Sequence, residues 1–403
     1  MTEAWLTIIG MGDSGLDSLS PQQRRALDQT EVLVVGERLE ALAGQSLPQV
    51  KRILTWGAGF RPTLEAVLSL KGKPVTVLAT GDPMHYGIGA TLLRSMKPEE
   101  MRVLPSPSAF SLAAARLHWP LQAVAQISLH GRPLSHLNRH ILPQARILAL
   151  TSNGDSVKQA AKRLVERGFG AALCHVLEHM GGVVERHIVM TAVELCATND
   201  VFADFNTLAI DCGQGPNLPP LPGLPDEVFR HDGQLTKSEV RAVTLAKLSP
   251  FPNALLYDVG AGCGSVAIEW LRLGMGTRAI AFEQKTERIA MMRDNAETLG
   301  TPDLDIVEGQ APACLSGQEP PDAIFIGGGI TGLGVFETCW QVLKPGGRLV
   351  ANAVTLEGEA RLTELRGLHG GEMIRLSVAR AAPVGRYCGW KSLMPVTIWS
   401  VVK

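Results

Sequence analysis

The chain has 403 residues, 45% hydrophobic and 19% charged, with 38 basic against 39 acidic side chains. Its length calls for two or three domains. The near-balanced charge excludes general steering toward nucleic acid or a membrane, so a polyanionic ligand must meet a local basic cluster. The seven cysteines (174, 196, 212, 263, 314, 339 and 388) contain no C-x-x-C pair. That pattern points to free thiols in a reducing compartment and away from a metal centre.

The N-terminal stretch MTEAWLTIIGMGD enters a strand-like run at once, and no segment approaches the ~20 apolar residues of a membrane helix. A signal peptide is therefore not expected, and the cytoplasm is the predicted compartment. In the first half WLTII, VLVV, PVTVLA, ARILAL and AALCHVL read as strands. Ser20-Pro21 opens a helix with a cap and a first-turn proline, and another runs from Asp155 to Arg167, stopped by Gly168. Residues 213–225 then carry five prolines among thirteen positions, which deny backbone donors and fix φ. The spacing predicts a domain over 1–212, a Pro/Gly-rich linker over 213–234 and a second domain over 235–403.

In the second half Thr236-Lys237-Ser238-Glu239 reads as a capping box opening a helix that ends before Pro250. Strand ALLYDV, a glycine-rich turn, helix SVAIEWLRL, strand RAIAFE and a helix from Thr286 to Leu299, closed by Gly300, come next. DLDIVEG, PDAIFIG, GGRLVANAV and MIRLSV complete the alternation. Both halves are α/β in class, and they share no internal repeat.

The turn Gly260-Ala261-Gly262-Cys263-Gly264 lets the backbone approach a ligand and leads straight into a helix whose free amides favour an anion. By itself this implies only a nucleotide-like ligand. The G-x-G-x-x-G of dinucleotide oxidoreductases is a cousin, but here the third glycine comes one residue early. Glu283 ends the next strand, where a carboxylate can take both ribose hydroxyls. Gln310-Ala311 is placed to border an adenine, and LKPGGRLV supplies a further turn and strand. Together these favour S-adenosylmethionine over NAD. The fourth strand ends in Ile326-Gly327-Gly328-Gly329-Ile330, without the Asn/Asp-Pro-Pro-aromatic tetrad that grips an exocyclic amine. Open space there suits a bulky, flat acceptor.

Several residues carry two readings. Arg375, Arg380, Arg386 and Lys391, interleaved with Tyr387 and Trp390, fit a flat polyanion or, equally, a solvated edge loop. Arg241 and His85 are further candidates for substrate contact. Cys263 reads as a small filler, Asp82 as ordering its own loop, and His175, His179 and His187 as structural. Glu269, Trp270 and Trp340 read as packing or surface.

The run from Leu235 to Thr355 (LTKSEVRAVTLAKL, YDVGAGCGSVAIEW, EGQAP, IGGGI, NAVTLE) resembles the cobalt-precorrin decarboxylating C15-methyltransferases. The first half resembles the class III tetrapyrrole methylases through LTIIGMGDSG, VVGERL, the loop from Ala79 to Gly89, PSPSAFSLAAARL, SLHGR and TLAID. The resemblance implies a class III tetrapyrrole methylase fold of two α/β subdomains joined to a class I Rossmann-like methyltransferase domain. It implies two S-adenosylmethionine sites per chain and a precorrin substrate. The implied activity is methylation at C5 and C15 with loss of a ring acetate carboxyl, in aerobic cobalamin biosynthesis. A homo-oligomer is expected, with no nucleic-acid or membrane partner.

Carried over by position, the cofactor contacts are Thr236, Gly260, Ala261, Gly262, Cys263, Gly264, Glu283, Gln310 and Ala311 in the second domain. In the first they are Gly12, Gly81, Asp82, Pro83, Ile88, Gly89, Ser108, Ala109, His130 and Ala209. Candidates for catalysis are Arg241, Arg386, Tyr387 and His85. The first loop departs from the usual G-x-G-P-G, reading Gly12-Asp13-Ser14-Gly15, so Asp13 and Ser14 are not assigned as contacts. That departure keeps open a non-catalytic tetrapyrrole-binding role for the first half, and a two-domain dinucleotide oxidoreductase is the more distant alternative.

Overall fold

A computed structural model describes residues 4–36, 39, 47–56 and 60–403. Glu37 and Arg38 of the VVGERL run lie outside the described residues. The chain forms two compact units, Met1–Leu134 with Pro143–Pro216, and Ser135–Leu142 with Asn217–Lys403. No helix among the described residues is long and apolar enough to cross a membrane.

The first unit holds two five-stranded sheets. One contains β1 (Leu6–Met11), β2 (Val32–Val35), β3 (Arg52–Thr55), β4 (Val75–Thr80) and β5 (Met101–Leu104), in the order β3-β2-β4-β1-β5. Every pairing is parallel. Its central strands are buried on both faces, which explains their unbroken apolar runs. Helix α1 (Pro21–Asp28) has the predicted cap, Ser20 and Gln23 bonding each other's backbone amides. The second sheet contains β6 (Ala125–Ser128), β7 (Arg146–Leu150), β8 (Leu173–Glu178), β9 (Arg186–Thr191) and β10 (Asn206–Asp211), in the order β6-β7-β10-β8-β9. It is antiparallel apart from the β6–β7 pair. Helix α2 (Ala109–Leu117), capped by Ser108, and helix α3 (Asp155–Glu166) complete what positions the site.

The second unit is built on a seven-stranded sheet of β11 (Leu255–Val259), β12 (Arg278–Glu283), β13 (Asp305–Glu308), β14 (Ala323–Ile326), β15 (Arg348–Ala353), β16 (Glu372–Leu376) and β19 (Val396–Val402). The order is β13-β12-β11-β14-β15-β19-β16, parallel except where β19 pairs with β15 and β16. Strand order reverses between β11 and β14, the switch point at which open α/β sheets bind ligands. A separate hairpin, β17 (Ala379–Val384) and β18 (Tyr387–Ser392), is inserted between β16 and β19. Helix α4 (Ser238–Leu248) packs on β14, β15 and β19, α5 (Ser265–Arg272) on β11 and β12, and α6 (Thr286–Leu299) on β12 and β13.

The Pro-rich stretch divides at Pro216, and from Asn217 onward it folds as part of the second unit. Leu224, Asp226 and Phe229 are buried. Ser135–Leu142, from the first half of the sequence, belongs to the second unit as well. There Ser135 Oγ donates to Glu297 Oε2 (2.8 Å), and Asn138 Nδ2 bonds the carbonyls of Glu297 and Thr298.

The expected capping box at Thr236 does not form. Helix α4 begins at Ser238 with Lys237 as N-cap and no side-chain cap bond. Its first amide is taken instead by Asp226 Oδ1 at 2.9 Å, a cap supplied from the Pro-rich stretch twelve residues upstream. Behind it Arg241 is fully buried. Its guanidinium donates to Glu269, to Asp226 Oδ1 (3.4 Å) and to the carbonyls of Thr236 and Leu224, and it stacks over Phe229. Glu269 also accepts from the amides of Gly223 (2.7 Å) and Leu224 (2.9 Å).

Removing one member of such a pair strands a charge in the interior. Arg241→Met is expected to cost about 3–5 kcal/mol in urea unfolding of the second unit. Arg278→Ala, which breaks the exposed pair with Glu319, should cost no more than about 1 kcal/mol.

Candidate functional site

The second unit has a cavity of about 550 Å³ at the carboxyl ends of β11, β14 and β15. Gly260, Ala261, Gly262 and Cys263 form one wall, with Gly327, Gly328 and Phe325 beside them. Gly233 to Lys237 and Arg288 lie at one side, and Asn352, Val354, Leu376, Val378, Leu393, Met394 and Val396 at the other. The turn is held open by backbone bonds, as Gly260 and Ala261 both donate to the Phe282 carbonyl (3.0 and 3.1 Å). Gly264 sits at φ +80°, and a Cβ there would lie 2.5 Å from Met292 Cγ, so only glycine fits against α6. A Cβ on Gly328 or Gly329 would meet nothing within 4 Å, so the space expected at the triple glycine is present at these two positions. Gly327 is different, since a Cβ would come 2.8 Å from the Phe325 ring.

Two acids lie beneath the turn. Glu283 is buried, and its carboxylate accepts from the amides of Gly262 (2.9 Å), Gln284 (3.0 Å) and Lys285 (3.0 Å). It braces the turn from behind and is not among the cavity-lining residues. Gln310 and Ala311 follow β13 on the same edge, Gln310 exposed and Ala311 half-buried, and they too stand outside the cavity wall. Asp258, which the sequence reading passed over, is fully buried in β11 and accepts from the Ala267 amide at 3.0 Å. Its Oδ1 has no partner among the described residues. Burial first, and then the charge of Glu283, push its carboxyl up to about 7. The signal was available as one acid in the otherwise apolar strand ALLYDV. Asn352 was also missed. It lines the cavity, donates to Thr244 Oγ1 (3.0 Å) and keeps Oδ1 without a partner among the described residues.

Thr236 lines the cavity as expected, and its carbonyl is held by Arg241. Arg241 itself is enclosed, every arm of its guanidinium already bonded, so it shapes the wall and is not exposed to a ligand. Arg380 is committed to Glu239, Asp226 and Ser238, and Arg375 to Glu359 and Thr397. Arg386 and Lys391 stay exposed on the hairpin with Tyr387 and Trp390, outside the cavity wall. Burial pushes the Cys263 thiol up to about 11, which suits a filler and not a nucleophile.

The first unit has a smaller cavity, about 70 Å³, where the ends of β1, β4, β8 and β10 face the start of α2. Gly12, Gly81 and Ala109 line it. Gly12 N donates to Ser18 Oγ and Gly81, at φ +65°, to the Met11 carbonyl. Asp82 bonds its own loop through the Met84 amide (2.8 Å), and Pro83 O receives Gly89 N (2.9 Å). Asp82, Pro83, Ile88, Gly89 and Ser108 shape the neighbouring turns and do not line the cavity. His130 is exposed, Ala209 is enclosed in the core, and His85 packs on Phe110 and Tyr86. Asp13 and His179, by contrast, both line this cavity although neither was assigned to it.

A family model described as tetrapyrrole (corrin/porphyrin) methylases matches residues 5–196, and one described as a precorrin methyltransferase domain matches 227–403. A precorrin-6Y C(5,15)-methyltransferase [decarboxylating] of Sinorhizobium sp is 43% identical over 99% of this chain and 96% of its own length. A protein of the same description from Mycobacterium tuberculosis is 36% identical over 99% of this chain and 100% of its own. The crystal structure of the C-terminal domain of precorrin-6Y C5,15-methyltransferase from Rhodobacter capsulatus is 44% identical, covers 46% of this chain and 100% of its own, and has a TM-score of 0.44.

Asp258 binds its proton more tightly in the folded chain than at its ordinary value of 3.8. Its contribution to stability is therefore fully present below about pH 4 and is lost as pH rises through about 7. Asp258→Asn keeps the acceptor for the Ala267 amide and should flatten the stability of the second unit between those limits, read by urea unfolding at a series of pH values.

Proposed function

Because the chain belongs to the precorrin-6Y C(5,15)-methyltransferase (decarboxylating) family, we propose that it methylates a precorrin at C5 and C15 and removes the carboxyl of one ring acetate. The first unit takes C5 in this reading, and the second takes C15 and the decarboxylation. The observation that carries the second assignment is the cavity running from the Gly260–Gly264 turn to the open side of Gly328. It combines a nucleotide-sized cradle with room for a flat acceptor.

Thr236 and Gly260 to Cys263 would hold S-adenosylmethionine, Glu283 would keep the turn in shape, and Gln310 and Ala311 would border its adenine end. Gly12, Gly81 and Ala109 would serve the first unit, with Asp82, Pro83, Ile88, Gly89 and Ser108 shaping the loops around them. Bound S-adenosylmethionine supplies an electrophilic methyl group on a sulfonium. An electron-rich meso carbon attacks such a group directly, so the protein's main task is to hold the two in line. The apolar side chains of Val266, Phe325, Leu376 and Val396 in the cavity wall would help to exclude water there. Arg386 and Lys391, the hairpin cations that remain exposed, would receive carboxylates of the macrocycle. Cytoplasmic location belongs to the same reading. So does a homo-oligomer, supported by edge strand β9 with exposed Val189 and the exposed Val183 and Val184 before it.

Mass spectrometry of the product made by the intact chain should show two methyl groups gained and one carbon dioxide lost. Titration with S-adenosylhomocysteine should give two sites per chain. Glu283→Ala removes the acceptor of three backbone amides and should weaken one site at least about tenfold while sparing the other. A single site in the unaltered chain would overturn the two-site reading.

A further inference from the structure

In the first unit two titratable side chains meet at the cavity wall and have no part in the binding roles above. Asp13 follows β1 in one sheet and His179 follows β8 in the other. His179 Nδ1 lies 3.2 Å from Asp13 Oδ2, and both residues line the cavity. The Asp13 side chain is only 9% exposed. A carboxylate can only accept, so the ring carries a proton on Nδ1 and donates it to Asp13; in the neutral ring the lone pair then falls on Nε2.

The backbone is built around this pair. His179 adopts φ +49°, the left-handed region that a non-glycine residue rarely enters. A Cβ on Gly182 would lie 2.3 Å from Asp13 Oδ2, so the glycine is what admits the carboxylate. Gly182 N closes the turn onto the His179 carbonyl at 2.8 Å. Glu185, paired with Arg116, takes the Gly181 amide at 2.7 Å. The adjoining Glu178 is engaged by Arg186, which leaves Asp13 as the carboxylate bonded to the ring.

We propose that His179, oriented by Asp13, accepts the proton that leaves the meso carbon methylated in the first unit. The proposal rests on the assignment of a methyl transfer to that unit. The meso carbon uses a π pair to take the methyl group, and the C–S bond breaks with its pair left on sulfur. That carbon then carries both hydrogen and methyl, with positive charge spread over the macrocycle. Its C–H bond breaks next, the pair restoring conjugation and the proton passing to Nε2. The imidazolium keeps its Nδ1–H bond to Asp13 and later releases the Nε2 proton to water. His179 is thus a catalytic residue and Asp13 a positioning one.

The test uses the full chain, with precorrin and S-adenosylmethionine as substrates and mass spectrometry to locate each methyl. His179→Gly tolerates the left-handed backbone and should slow C5 methylation on the order of 10²-fold, leaving C15 methylation and carbon dioxide loss within twofold. Imidazole in the buffer should restore part of the lost rate. In the ligand-free chain, nitrogen NMR of the histidine rings should show His179 protonated on Nδ1, and Asp13→Asn should abolish that bias. C5 methylation at an undiminished rate in His179→Gly overturns the proposal, as does a loss that imidazole cannot rescue. Absence of C5 methylation in the unaltered chain would instead refute the assignment of the first unit.

Discussion

The second unit depends on one buried cation. Arg241 has no exposed surface, and a guanidinium taken out of water is tolerated only when its donors are met by acceptors of good geometry. Glu269, Asp226 and the carbonyls of Thr236 and Leu224 meet them, drawn from three stretches: α5, the Pro-rich segment and the approach to α4. The Pro-rich segment cannot make a ladder of its own backbone bonds, so it is held to α5 by side chains, among them Arg272, which donates to the Leu218 carbonyl. Glu269 receives two of its amides, while Asp226 both caps α4 and accepts from Arg380 of the hairpin. Through Asp226 the floor of the cavity and the base of the hairpin share one acceptor. The position of Thr236 at the cavity wall follows from that arrangement.

Elements whose stability is local were legible in the sequence. Strand alternation, the Ser20 cap, the stops at Gly168 and Gly300, and the glycine turn after β11 all stand where the residue pattern places them. What sequence could not convey were pairings between distant residues. Thr236 has the chemistry of a cap, but the helix starts a residue later and Asp226 supplies the acceptor for its first amide, that of Ser238. Arg241 looks like a surface ligand for carboxylates until Glu269, 28 residues later on another helix, pairs with it in the interior. His179 has no spacing that betrays a role, because its partner lies 166 positions earlier. Of the candidate contacts in the first unit, Gly12, Gly81 and Ala109 face the cavity, while Ala209 lies in the core, since strand position alone does not say which face a small residue takes.

The two acids under the glycine turn show how environment separates groups of one chemical kind. Glu283 gathers three backbone N–H donors, whereas Asp258 has one and sits deeper in the sheet. Their roles differ accordingly. Glu283 holds the turn through the Gly262 amide, and Asp258 joins β11 to the first turn of α5 while holding an unfilled acceptor.

The segment Ser135–Leu142 sets a condition on how the chain is made. Ser135 is hydrogen-bonded to Glu297, 162 residues later, so on the ribosome it emerges long before the helix that receives it. At roughly 5–20 residues per second that interval is about 8–30 seconds. Throughout it, the segment must stay uncommitted while the strands on either side of it come together. The boundary between the two units is therefore not a single scissile point in the gene. A cut at Pro216 leaves one product carrying a piece of its neighbour's surface and the other lacking it.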